Sequence, residues 1–141
     1  MLKRLRRRCA ARLARRRQGV SAETQAFLHV ARQSFLQMQA AWDRADLSAL
    51  GVLAAEPLLR DLREQLSLRG GGPNHTEVLE LHAQVVALEE LHEAYVASVE
   101  FSGLIREQRG EGAAPFRELW LLANVKAAGR GWQLAQVQSL S

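Results

Sequence analysis

Four histidines, one cysteine and fifteen carboxylates are the groups of this 141-residue chain with the most scope for chemistry, and their spacing limits what they can do together. His29, His75, His82 and His92 form no HExxH pattern, and a lone cysteine allows no CxxC, so the spacings that aim several ligands at one zinc ion are missing. His82 and His92 are the one pair that could meet across a hairpin; surface or edge histidines are the plainer reading. Glu89 and Glu90 are neighbours, so on a strand they point to opposite faces and cannot serve one substrate as acid and base. There is no G-x-S-x-G, P-loop or dinucleotide fingerprint, and Gly70-Gly71-Gly72 lacks the lysine that a phosphate cradle would use. The expectation is a chain without hydrolase or oxidoreductase chemistry, without a cofactor and without a metal.

Charge is the more informative signal. The formal +4 divides into two unlike pieces: Lys3, Arg4, Arg6, Arg7, Arg8, Arg12, Arg15, Arg16 and Arg17 lie within residues 1–17 with no acid, whereas the remainder carries ten cations and fifteen carboxylates. A tail of about +9 therefore precedes a body of about −5. Leu2, Leu5, Cys9 and Leu13 recur at i, i+3, i+7 and i+11, which on a helix gives a thin apolar edge beside a broad guanidinium face, the pattern of a membrane-surface element. Each arginine near an anionic leaflet contributes about 1 kcal/mol, and salt screens the effect. Nucleic-acid phosphates would attract the same segment, although it has no aromatic residue for stacking on bases. A solvated arm or a mere flank to a membrane segment is the bland alternative.

With Cys9 alone, no intrachain disulfide forms, so packing must hold the body. About half of the residues are apolar, enough for one domain to bury roughly two-thirds of its unfolded surface. No run approaches the roughly 18–20 apolar residues of a membrane span, and no apolar stretch of the secretory-signal kind follows the basic start, so the chain as given reads as soluble.

The elements that must position these groups follow from caps and periods. Ser21 is a plausible N-cap with Glu23 in the first turn, and Leu28, Ala31, Phe35, Met38 and Trp42 recur at helical spacing up to Asp43. Asp46 can cap a short second helix with Leu47, Leu50 and Leu53, and Glu56-Pro57 starts a third that buries Leu58 or Leu59, Leu62 and Leu66. Gly70 to Asn74 then breaks the chain. Thr76 to Leu91 is ambiguous. Val78, Leu81, Val85 and Leu88 fit a helix made of good helix formers, and as a strand Leu79, Leu81, Ala83, Val85 and Ala87 share a face. Beyond it, Tyr95, Ala97, Val99 and Phe101 alternate with Ser98, Glu100 and Ser102, the signature of a half-buried strand. Two glycine-containing breaks, Arg109 to Gly112 and Ala127 to Gly131, separate further runs of about ten residues, as between neighbouring antiparallel strands. Helices first and then four strands predict an α+β domain, with helices covering one face of an antiparallel sheet. Trp42, Trp120 and Trp132 suit a core or a cavity wall, and Glu118 shares a strand face with Trp120, within reach of Arg106 as a cross-strand pair.

Phe101-Ser102-Gly103-Leu104-Ile105-Arg106-Glu107, Pro115-Phe116 with Glu118-Leu119-Trp120, and Gly131-Trp132-Gln133-Leu134-Ala135 resemble the phrases VxFSGxIRE, PFxELWxL and GWxLAxxQ of the Tim-44-like domain. That domain forms the C-terminus of subunit 44 of the mitochondrial inner-membrane import translocase and has bacterial relatives. The resemblance spans roughly Ala22 to Leu140 and leaves out the basic start, dividing the chain into a tail, 1–20, and a domain, 21–141. It implies a strand over Thr76 to Leu91, turning near Glu89 to His92, and a cone of the nuclear transport factor two-like superfamily: helices on a curved four-stranded antiparallel sheet. A pocket in such a cone would be lined by Trp42, Tyr95, Phe101, Trp120 and Glu118, with His82 and Glu100 as further polar candidates. Relatives often carry a hydrophobic segment upstream, and this chain begins where a basic flank to one would lie.

The functional expectation is a non-enzymatic adaptor that binds a protein partner or anionic lipid at the cytoplasmic face of an inner membrane, related to protein translocation and positioned by residues 1–17. Alternatives are a ribosome- or RNA-associated module of the mitochondrial large-subunit type, and a cone that binds a small apolar ligand.

Overall fold

The computed structural model describes residues 21–70, 74–107 and 110–140. The basic segment 1–20, with all nine candidate lipid- or phosphate-contacting cations, lies outside the described residues, as do 71–73 of the Gly-rich break and Arg109 of a later turn.

Helix α1, Ala22–Asp43, starts where expected: Ser21 Oγ accepts from the Thr24 amide at 3.1 Å, and Glu23 occupies the first turn. It buries Phe27, Ala31, Phe35, Met38 and Ala41. The predicted stripe is right at its centre and rotated at its ends, where Leu28 and Trp42 flank the buried line and pack partly against it. The helix ends in a Schellman turn, with Asp46 N donating to Ala41 O at 2.9 Å and Ala45 N to Trp42 O at 3.1 Å. Ala45 takes the left-handed position, φ 54°.

Helix α2, Leu47–Leu53, is capped by Asp46, whose carboxylate accepts from Ala49 N at 3.1 Å. Its core anchor is Leu50, with Leu53 packed beside it; Leu47, expected inside, is exposed, since two helical turns present one narrow line to the core. Helix α3, Glu56–Arg69, has proline in its first turn and buries Leu59 and Leu66, with Leu58 and Leu62 half-buried beside them. Gly70 ends it at φ 78°.

Four strands follow: β1 (Glu77–Glu90), β2 (Ala94–Arg106), β3 (Ala114–Val125) and β4 (Gln133–Ser139), in spatial order β1-β2-β3-β4 and antiparallel throughout. The ambiguous segment is therefore strand. Its helix-forming composition is overridden by pairing with β2 from Glu77↔Arg106 to Glu90↔Tyr95. Ala97, Val99 and Phe101 of β2 share a face with Trp120 and Leu122 of β3, and with α1, Leu50, Leu59, Leu66 and Leu134 they form one core. The α2–α3 junction also touches the sheet edge, where Ala55 N donates to Leu134 O at 2.9 Å.

β1 departs from simple alternation. Register shifts between Val78 and Glu80, and between Val85 and Ala87, mark two bulges, each inserting a residue and reversing the faces beyond it. Leu79 is consequently exposed, and Ala87 pairs with Ser98 on the face away from the helices, while Val78 and Leu88 join the core. Leu81, Ala83 and Val85 keep the expected side. Bulges of this kind bend a strand and increase its twist, which suits a sheet curved around α1. Among the described residues the architecture is three helices packed on one face of a curved four-stranded antiparallel sheet, an α+β cone. No helix among the described residues is long and apolar enough to cross a membrane.

Candidate functional site

Inside the cone, α1 presents Phe35 to an aromatic cluster built by neighbouring strands. Its ring centroid lies 4.8 Å from Phe101, 5.0 Å from Trp120 and 5.5 Å from Phe116, the last stacked at 19°, and Phe101 meets Trp120 edge-on at 5.1 Å. Phe35, Phe101 and Trp120 are buried, so these rings fill the space between helix and sheet. Glu118 shares this inner face, opposite Phe101 in the register, and accepts from Trp120 Nε1 at 3.0 Å, giving the buried indole its acceptor.

The five pocket candidates are thus dispersed. Phe101, Trp120 and Glu118 come together in the core. Trp42 lies at the far end of α1, where the Arg69 guanidinium stands 5.1 Å from its ring and donates from Nη1 to the Trp42 carbonyl at 2.8 Å. Tyr95 is at the opposite end of the sheet, with Trp132 at 6.5 Å and Lys126 Nζ 4.8 Å above its ring.

The other two polar candidates do not converge on the interior. His82 pairs with Ser102 and Glu100 with Leu119, both on the face away from α1; Glu100 accepts from Arg117 Nη2 at 2.7 Å. His82 and His92 do not meet across the hairpin, in keeping with the plainer reading of surface or edge histidines: the turn lies at residues 91–93 and His82 is eight residues back along β1 from Glu90, about 26 Å at strand rise. His82 stands instead 3.8 Å from Glu80. Nor does Arg106 pair with Glu118: it occupies the opposite sheet face, opposite Glu77, and donates to that carboxylate from Nη1 at 3.1 Å. Glu89 and Glu90 point to opposite faces as expected, opposite Val96 and Tyr95. Among the described residues, no group of three or more His, Asp or Glu side chains is placed to hold a metal ion.

Two constellations escaped sequence reasoning. The first is an open cleft of about 570 Å³ where β1 begins and β2 ends, lined by His75, Glu77, Arg106, Gly110 and Glu111. Glu77 spans it, one oxygen 3.4 Å from His75 Nε2 and the other on Arg106, whose Nε donates to the Glu111 carbonyl at 2.9 Å. Its chemistry is ion pairing; it carries no nucleophile. The second is Asp43 at the end of α1, whose carboxylate accepts from Thr76 N at 2.7 Å, Asn74 Nδ2 at 2.8 Å and Thr76 Oγ1 at 2.9 Å, tying the helix to the start of the sheet. No local signal announces contacts between residues more than thirty positions apart.

No family model and no curated protein matches the chain. Solved structures do. One is a nuclear transport factor 2 (NTF2-like) superfamily protein from Salmonella enterica serovar Typhimurium, 13% identical over 84% of this chain and 92% of the other, with a TM-score of 0.51. Another is the intermembrane space region of the chloroplast protein ARC6, 12% identical over 80% of this chain and 95% of the other, with a TM-score of 0.54. At such identities the likeness concerns backbone architecture, and with the helices, the antiparallel sheet and the filled cone already in hand it establishes that this chain has an NTF2-like fold.

Proposed function

We propose that this chain is a non-enzymatic, membrane-associated adaptor of the Tim-44-like kind, in which residues 1–17 contact anionic lipid and the α+β body binds a protein partner in work related to protein translocation. The carrying observation is charge segregation: nine cations and no acid in residues 1–17, joined to a body with ten cations and fifteen carboxylates. An anionic surface attracts the first piece and repels the second, so the two have separate tasks. The rings of Phe35, Phe101, Phe116 and Trp120 occupy the cone interior, which favours recognition at outer surfaces over enclosure of a ligand. The setting that fits is the cytoplasmic face of an inner membrane.

Vesicle cosedimentation tests this reading. The full chain should bind vesicles containing anionic phospholipid at low ionic strength, bind neutral vesicles weakly, and lose most binding when residues 1–17 are removed. Preference for duplex or ribosomal RNA over anionic vesicles at the same physiological salt would replace it with the ribosome-type alternative.

A further inference from the structure

The two edges of the sheet are built differently. β1, at one edge, carries Glu77, Glu80, Glu89 and Glu90 and is broken by two bulges, devices that keep an edge strand from pairing with another chain. β4, at the other, reads Gln133-Leu134-Ala135-Gln136-Val137-Gln138-Ser139, with no charge and no proline in a protein of which 24% of residues are charged. Its first part is covered: Ala55 N donates to Leu134 O at 2.9 Å, and Gln133 Nε2 to Val52 O at 3.1 Å. A register shift against Leu121 and Leu122 follows, and from Gln136 to Gln138 the residues are exposed. The backbone there has an open side. Leu140 N donates to Arg117 O at 2.9 Å, so these two form a hydrogen-bonded pair. Such pairs alternate along an antiparallel ladder, so Gln138 with Leu119 and Gln136 with Leu121 also bond across to β3. Val137, opposite Trp120, falls between them; its N–H and C=O point away from β3, and no described residue receives them. Its side chain lies on the helix side of the sheet and is 39% exposed, while Gln136 and Gln138 lie on the other face.

From this open, uncharged edge we infer that β4 pairs antiparallel with β4 of a second copy about a two-fold axis at Val137, joining the two four-stranded sheets into one. Val137 then meets its counterpart and the two exchange both backbone bonds, while Gln136 of each copy stands opposite Gln138 of the other. A second copy is the occupant that suits this strand, because a two-fold sets like chemistry against like. A carboxamide both donates and accepts, so glutamine pairs with glutamine, whereas a strand lined with carboxylates, as β1 is, would meet its own charge. The cover over Leu134 stops the pairing from running further, and the charged β1 edges leave the assembly closed at two chains. A contact of a few residues on each strand falls below the roughly 1,200 Å² of a standard interface, so the dimer is weak and its population follows concentration over the micromolar-to-millimolar range. None of this rests on the membrane reading above.

Sedimentation velocity of the full chain at physiological salt should show a monomer at low micromolar concentration and a growing dimer towards millimolar. Hydrogen exchange of the Val137 amide should slow over the same rise, while the amides of Gln136 and Gln138, already bonded to β3, change little. Gln136→Lys with Gln138→Lys alters two exposed side chains, keeps the circular dichroism of the fold, sets lysine opposite lysine and should weaken the dimer about tenfold. Gln136→Lys with Gln138→Glu sets lysine opposite glutamate at both places and should restore it. A chain that stays monomeric, or a dimer indifferent to both pairs of changes, overturns the pairing of β4 with β4; a dimer weakened equally by both overturns the register. A Val137 amide protected to the same degree at every concentration assigns the edge to a segment of the same chain and overturns the second copy as its occupant.

Discussion

The α-carbon of Gly103 in β2 sits against the backbone carbonyl of Glu80 in β1, so close that a Cβ at position 103 would overlap the carbonyl oxygen and lie 2.6 Å from the carbonyl carbon. Neither neighbour can yield, since both belong to paired backbone beside the Leu79 bulge. With φ at 154°, this glycine lets the strands cross closely where the sheet bends. Gly103→Ala should therefore destabilise the fold by about 3 kcal/mol or abolish its soluble expression, read as the midpoint shift in urea denaturation. A loss below 0.5 kcal/mol would show that β1 can shift away freely.

Ala45 makes the opposite prediction. It holds the left-handed position of the Schellman turn, where an alanine pays a steric cost that glycine avoids. Ala45→Gly should stabilise the domain by about 0.5–1 kcal/mol, the relief of strain being partly offset by the greater freedom of the unfolded chain. Thermal unfolding checks the sign.

Asp43 joins α1 to the start of β1 through three acceptor bonds. Replacement by alanine leaves the half-buried Thr76 amide without its partner and should cost about 2–3 kcal/mol. Asp43→Asn keeps one acceptor oxygen and should cost about half as much. Hydrogen exchange should localise the loss to the Thr76 amide and the first residues of β1.

Phe35 is the keystone of the aromatic cluster. Phe35→Ala removes three ring contacts at once and should cost about 3–5 kcal/mol, with a change in the near-ultraviolet dichroism of Trp120. Phe35→Leu, which refills part of the volume, should recover a substantial fraction. Denaturant melts of the two variants give the comparison.

Leu2, Leu5 and Leu13 separate two ways in which residues 1–17 could hold a membrane. Changing all three to serine keeps every cation, so attraction at a distance survives while insertion of an apolar edge does not. The adaptor reading with a membrane-surface element predicts at least a tenfold loss of affinity for anionic vesicles in cosedimentation. An unchanged affinity would identify the contact as electrostatic alone.

Local chemistry determined the parts of this protein that depend on a few consecutive residues. Ser21 and Asp46 capped helices because a side-chain oxygen three residues ahead of an unpaired amide suffices, and Tyr95 to Phe101 alternated because a strand face repeats every second residue. The charge split between residues 1–17 and the remainder was likewise complete in the sequence. What tertiary structure alone decided was every relationship that depends on register. Residues 77–90 are good helix formers that became a strand because β2 pairs with them along their length. Bulges at Leu79 and Val86, invisible to a period-two count, turned Ala87 to the sheet face away from the helices, where it is still buried, and brought Leu88 to the helix side. Arg106 met Glu77 rather than Glu118 because sheet faces alternate, and His82 never approached His92 because β1 runs on for eight residues beyond it, to Glu90, before the hairpin turn. Each outcome turns on a single-residue slip, which reverses a strand's faces while barely altering its sequence pattern, and only the summed packing of Phe101 and Trp120 against Phe35 of α1 fixes which slip is chosen.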